Sequence, residues 1–163
     1  MAEPVAAWIL KTEPAECSLD DIRRAPGGVL RWDGIRNFQA RNHLRLMRAG
    51  DRCLIYHSGV REPVIAGEAV AVTEAYPDPA QFDPASPWHD ARATASNPRW
   101  FAIDLRYLRH FPEPLPLAAI RAEASLADLP LLRQGRLSVS AVMPGQLRAL
   151  EALLVKEAAC VPR

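Results

Sequence analysis

Residues 32–42, Trp-Asp-Gly-Ile-Arg-Asn-Phe-Gln-Ala-Arg-Asn, gather two asparagines, one glutamine, two arginines and two aromatic rings in eleven positions. That mix suits a planar ligand with hydrogen-bonding edges. The Trp32 indole can stack on a ring, amides such as Asn37 can meet donors or acceptors, and Arg36 and Arg41 can meet anions. The same residues also describe a tight turn with a buried Trp and solvated arginines. Composition alone favours that second reading, because Trp is usually a core residue.

Other stretches point away from catalysis. Tyr56-His57-Ser58 invites a Ser/His hydrolase reading, but neighbours on a strand face opposite ways, so His57 cannot easily serve Ser58. No GxSxG elbow is present. Gly27-Gly28 is not followed by the GK[ST] of a phosphate loop. His43, His89 and His110 lack partners at ligand spacing, and the acids form no general-acid pair. The cysteines, Cys17, Cys53 and Cys160, are odd in number and far apart. They give no metal spacing, and free thiols fit a reducing cytosol. The expectation is a polar, aromatic-lined binding pocket with no cofactor and no metal.

The elements that must hold such a pocket can be read in outline. Ala6 to Lys11 is a short apolar run, expected to be a buried strand that ends before Pro14. Ser18 and Asp21 resemble a capping box for a short helix that stops at Pro26-Gly27-Gly28. Trp32 is expected on a turn, and a helix is expected from about Asn37 to Met47, with Arg41, Arg45 and Arg48 on one face. Gly50 suits a left-handed cap after it. Strands are expected at Arg52–His57 and Val64–Ala75, with Gly67 marking a bulge or a close approach. Residues 76–98 hold five prolines and are too long for a passive link, so they are a candidate binding loop or lid. Arg99–Phe111 alternates as a strand, which Pro112, Pro114 and Pro116 should break. Two short helices, a polar turn at Leu132–Arg136, a last strand at Leu137–Val142 and an amphipathic closing helix follow. About five strands with short helices predict a mixed α/β (α+β) domain over 6–157, with tails at 1–5 and 158–163.

The totals bound the function. A chain of 163 residues can bury one real core. No apolar run approaches the roughly 20 residues that span a bilayer. The first residues lack a signal peptide's basic start, so the expected compartment is the cytoplasm. The net charge is +1, but it is unevenly laid out. Residues 31–52 hold six arginines against two aspartates, a net of +4, while residues 62–98 hold six acids against Arg92, a net of −5. Such a chain can offer one basic face to a polyanion. The bias of 18 arginines to two lysines equally fits a GC-rich genome.

Six pieces in order resemble the EVE domain family across most of the chain. They are Trp8-Ile9-Leu10-Lys11-Thr12-Glu13-Pro14, Trp32–Asn37 through Ala40-Arg41-Asn42, Tyr56-His57-Ser58, Glu74–Pro79, Asn97-Pro98-Arg99-Trp100 and Arg133–Val139. The resemblance implies a PUA-like pseudo-barrel of five to six strands with short flanking helices, related to YTH and ASCH domains. It implies a monomeric, non-catalytic module that reads a modified base in nucleic acid, with modified cytosine in DNA preferred over RNA. By likeness to YTH pockets, Lys11, Thr12, Trp32, Arg133 and Gln134 are expected at the ligand. Asn37, His57 and Ser58 come from EVE motifs, and Tyr76 or Trp100 is expected to supply a second aromatic wall. Arg36, Arg41 and Arg136 are expected on the nucleic-acid backbone. Gln134 stands where YTH domains have Asp, which argues against N6-methyladenine as the ligand. The rival readings are a nuclease or hydrolase on the same fold and an adaptor that holds a free nucleotide.

Overall fold

Ala7, Trp8, Ile9 and Leu10 are all buried, and the two-residue period of a strand sends them to two different cores. Trp8 and Leu10 join one apolar cluster with Leu19, Ile55 and Ile103. Ala7 and Ile9 join a second with Leu54, Leu115 and Leu150. A strand covered on both faces reads as a continuous apolar run. The computed structural model describes residues 2–160. Here β1 (Ala7–Thr12) runs parallel to β3 (Arg52–His57) and antiparallel to β7 (Val139–Val142). The sheet continues from β3 through β4 (Val64–Ala71) and β6 (Phe101–Pro116) to β2 (Val29–Trp32), and β5 (Tyr76–Pro77) pairs with β6. The path is open, with β2 and β7 at its ends.

The mixed α/β class is as expected, but the sheet has seven strands. Two were missed. β5 is only two residues long. β2 is short and follows two left-handed glycines, Gly27 and Gly28, so it looks like turn. Trp32 therefore ends a strand opposite Ile103 and does not sit on a turn. The prolines do not break β6 either. Between the pairs Gly67–His110 and Ile65–Leu115 the register shifts, so Pro112 and Pro114 fall where β6 bulges and no ladder N–H is needed. Gly67 makes the close approach that its place in the strand suggested: a Cβ there would lie 2.6 Å from Leu19 Cδ2 and 2.8 Å from His110 Cα.

The helices obey their caps. α1 (Leu19–Arg24) starts in a complete Ser18/Asp21 capping box. α2 (Phe38–Leu44) starts where the Asn37 side chain accepts the Ala40 N–H at 2.9 Å. It ends three residues short of Met47, and Gly50 turns the chain into β3 with φ of 96°. α3 (Leu117–Ala122) follows β6, and α4 (Pro130–Arg133) takes part of the expected polar turn. α5 (Pro144–Ala159) closes the domain two residues past its expected end. Residues 2–5 are exposed, and residues 1 and 161–163 lie outside the described residues. No described helix is long and apolar enough to cross a membrane.

Candidate functional site

The ends of β1 and β2, the turn into α2 and the loop after β3 surround a cleft of about 520 Å³. Its walls include Lys11 and Thr12 from β1, Trp32 and Asp33 from β2 and its exit, Asn37 before α2, and Ser58 after β3. Five sequence-predicted ligand residues thus converge: Lys11, Thr12, Trp32, Asn37 and Ser58. The volume is that of a small-ligand site.

Each wall is held by identifiable contacts. Lys11 Nζ donates to the Gly135 carbonyl at 2.6 Å and lies 5.6 Å from the Tyr56 ring, which ties the turn after α4 to the cleft. Burial lowers its pKa. Thr12 Oγ1 donates to the Cys17 carbonyl at 2.8 Å. The Cys17 thiol is pushed up to about 11 by burial, with Asp21 and Asp33 adding to it, so it is no thiolate nucleophile. Asn37 uses its oxygen on the cap, and its amide N–H pair has no partner among the described residues. Asp33 is raised by burial and by nearby Asp78, and its carboxylate makes no side-chain hydrogen bond among the described residues. Glu13 and Glu16 add two more carboxylates to the walls, against the cations Lys11 and Arg36.

Trp32 is only 5% exposed and belongs to the larger apolar core. It borders the cleft while packing the domain. The accessible aromatic wall is Trp88, 41% exposed, from the long loop. It stands over Gly34, where a Cβ would come within 3.1 Å of the indole and φ is 76°. Arg36 fixes it there. Nε and Nη2 donate to the Trp88 carbonyl at 3.1 and 2.7 Å, and Nη1 donates to the fully buried Asp78 at 2.8 Å. The loop itself is packed around polar groups. Buried Gln81 accepts the N–H groups of Arg99 and Trp100 and donates to the carbonyls of Asp78 and Trp100. Asp90 accepts from the Trp100 indole and from Arg99, which hold its carboxyl well below the usual range.

Other expected site residues are engaged by the protein itself or lie outside the cleft. Arg36 clamps the loop, so little of its guanidinium is free for a phosphate. Tyr76 donates to Asp104 and accepts from Arg31, outside the cleft, and Trp100 is buried beside Phe38. Neither makes the second aromatic wall. His57 Nε2 accepts the Leu19 N–H at 3.1 Å; it caps α1 and does not meet Ser58. Arg133 pairs with Asp128 at 3.0 Å and does not border the cleft. Gln134 and Arg136 line a neighbouring groove of about 250 Å³ that shares Asn37. Arg41 lies beyond the cleft mouth, over Phe38. Trp88 and Asp33 were missed. A lone Trp in a proline-rich loop and an acid directly after Trp32 were the available signals. Among the described residues no three His, Cys, Asp or Glu side chains cluster as metal ligands.

Residues 6–153 match the family model described as the EVE domain. The chain belongs to the EVE domain family. This EVE domain is 37% identical over 124 residues to human "Thymocyte nuclear protein 1", covering 71% of this chain and 55% of that protein. The chain thus spans little more than half the length of that relative. A crystal structure of a Pseudomonas putida protein is 44% identical, with a TM-score of 0.86, covering 91% of this chain and 99% of that one. The human THYN1 protein, in a crystal structure with 5-methylcytosine-containing DNA, is 32% identical with a TM-score of 0.86, covering 91% of this chain and 96% of that one.

Proposed function

We propose that this EVE domain is a non-catalytic module that reads a modified base, extruded from DNA, in the cleft between Trp88 and the Asp33–Asn37 connection from β2 to α2. The observation that carries the reading is the make-up of the cleft. One accessible indole stands over a floor edged by Lys11, Asp33, Asn37 and Ser58. A flipped base needs a stacking face and partners for its edge, and those residues supply both. The carboxylate of Asp33 accepts and cannot donate when ionised, which suits the exocyclic amine of a cytosine. The DNA in the THYN1 complex carries 5-methylcytosine, which supports cytosine and DNA as the first choices.

The rivals fit less well. A free nucleotide would bring its phosphates into a cleft lined by Glu13, Glu16 and Asp33. A hydrolase needs a base for its nucleophile, and the Nε2 lone pair of His57 is occupied by the Leu19 N–H.

Calorimetric titration of single-stranded oligonucleotides with one central cytosine, 5-methylcytosine or 5-hydroxymethylcytosine tests the proposal. One modified strand should bind more tightly than the unmodified one. Trp88→Ala should remove about 1–3 kcal/mol of modified-strand affinity, roughly 5- to 150-fold. Equal affinity for all three strands would overturn the base-reading proposal. Cleavage of any strand, lost in His57→Ala, would overturn its non-catalytic part.

A further inference from the structure

α2 and the turn that follows it leave the cleft along a strip of arginines and aromatic rings that the base pocket does not use. Phe38 follows the cleft residue Asn37 and is 52% exposed. Its ring is backed by Trp100, with centroids 5.0 Å apart and planes at 27°. The guanidinium carbons of Arg41 and Arg99 lie 4.8 and 5.7 Å from its centroid. One turn further, Arg45 lies 4.7 Å from the Phe101 ring, and Arg45 and Arg48 line a second cleft of about 420 Å³ with one acid, Glu74.

Of these arginines Arg99 pairs with Asp90 at 2.9 Å, whereas Arg41, Arg45 and Arg48 meet no carboxylate among the described residues. Among the described residues Arg41 donates only to the Arg99 carbonyl and to the Asn42 amide oxygen. Arg45 and Arg48 make no side-chain ion pair among the described residues. By contrast Arg23, Arg36, Arg52, Arg109 and Arg133 each meet a carboxylate. Arg41 stands in the last turn of α2, Arg45 is its C-cap and Arg48 lies in the turn beyond; Arg45 is near enough to Arg41 to act on its charge, and Arg45 and Arg48 share one cleft. Burial, then Arg45 and Arg99, lower the Arg41 pKa. Cation–π attraction to the nearby Phe38 and Phe101 rings holds the guanidinium groups of Arg41 and Arg45 in place without consuming their charge.

We propose that this strip is the track of a single nucleic-acid strand leaving the cleft, with Phe38 stacking on the base next to the extruded one and Arg41, Arg45 and Arg48 meeting successive phosphates. The start of the track rests on the base-reading proposal above. A ring beside a row of unpaired cations matches an unpaired strand, whose bases offer free faces. A duplex keeps those faces stacked, and an acidic peptide has no use for the ring.

The test is fluorescence anisotropy with labelled single strands of about twelve nucleotides, unmodified and modified, at 0.1 M salt. Phe38→Ala should weaken both strands alike by about 5- to 150-fold, and Phe38→Trp should restore binding. The double variant Arg45→Ala/Arg48→Ala should weaken both by about 25-fold, since each phosphate contact on a single strand contributes a factor of about five at that salt. All three variants change exposed side chains, and unchanged thermal melts confirm that the fold is kept. Strip variants that bind unmodified strands as the native chain does would overturn the track, as would poly-glutamate competing as well as an oligonucleotide, or tighter binding of a duplex. The two proposals fail separately. Strip-sensitive binding without base preference keeps the track and discards the base reader. Base preference that ignores the strip does the reverse.

Discussion

The two tryptophans on the cleft divide the labour, and substitution should separate them. Trp32 is packed in the core, so Trp32→Ala leaves a cavity among Leu10, Ile35 and Ile103. The expected loss is about 3–5 kcal/mol of folding stability, read from chemical denaturation. A loss under about 1 kcal/mol would show that the indole serves the ligand and not the core. Asp33 should behave in the opposite way. Its carboxylate borders the cleft without a side-chain partner among the described residues, and partial desolvation with Asp78 nearby raises its pKa. Asp33→Asn removes that unfavourable charge, so stability should rise slightly. The same change exchanges a charged acceptor for an amide, and affinity for the preferred modified strand should fall by about 1.5–3 kcal/mol. Gains of stability joined to losses of binding mark a residue kept for its ligand. If Asp33→Asn lowers stability, or leaves binding unchanged, the carboxylate is not the amine acceptor.

At the scale of elements, α1 depends on a group that titrates near neutrality. The Leu19 N–H is one of the donors that a helix leaves unpaired at its start, and the neutral His57 ring accepts it. Burial lowers the His57 pKa, His110 adds to this, and Asp21 opposes it. A folded pKa below the unfolded value of about 6.5 means that the unfolded chain takes up the proton first. The stability from this cap is therefore complete above about pH 6.5 and is lost as pH falls from there through the folded pKa. Thermal melts from pH 8 to pH 5 should show that loss, and His57→Gln, which keeps an acceptor that cannot titrate, should reduce it. A native melting temperature that stays flat from pH 7 to 5 would sink the idea. The His57 cap also shows what the sequence can and cannot carry. The Ser18/Asp21 cap, the helix start at Asn37, the apolar runs of β1 and β3 and the alternation of β6 were legible, because caps and strand patterns are local. The pairing of His57 with Leu19 is not local, and neither is the Arg36 clamp across 52 residues to Trp88. For that reason the lone Trp88 in its proline-rich loop did not declare itself a wall, and Arg36 read as a free cation. Motif order placed Lys11, Thr12, Trp32, Asn37 and Ser58 together, but it could not tell which way the Arg133 side chain turns.

The whole molecule is close to neutral, with a net charge of +1, so it exerts little long-range pull on a polyanion. On the two proposals, affinity for a strand must come from local contacts: the cleft for the base, and Arg41, Arg45 and Arg48 at and beyond the end of α2 for phosphates. Each phosphate contact on a single strand contributes about −0.7 to the slope of log affinity against log salt. Three contacts predict a slope near −2, or a loss of roughly 20-fold between 0.05 and 0.2 M salt. The ratio of modified to unmodified affinity should stay constant over that range, because both strands present the same phosphates and differ only in the cleft. Anisotropy titrations at four or five salt concentrations measure both quantities. A slope steeper than about −4 would require further cations, and the groove that holds Arg136 beside Asn37 would be the place to look. A ratio that collapses as salt rises would mean that the modified base is recognised through charge and not through the stacking and hydrogen bonds of the cleft, and the division between pocket and track would fail.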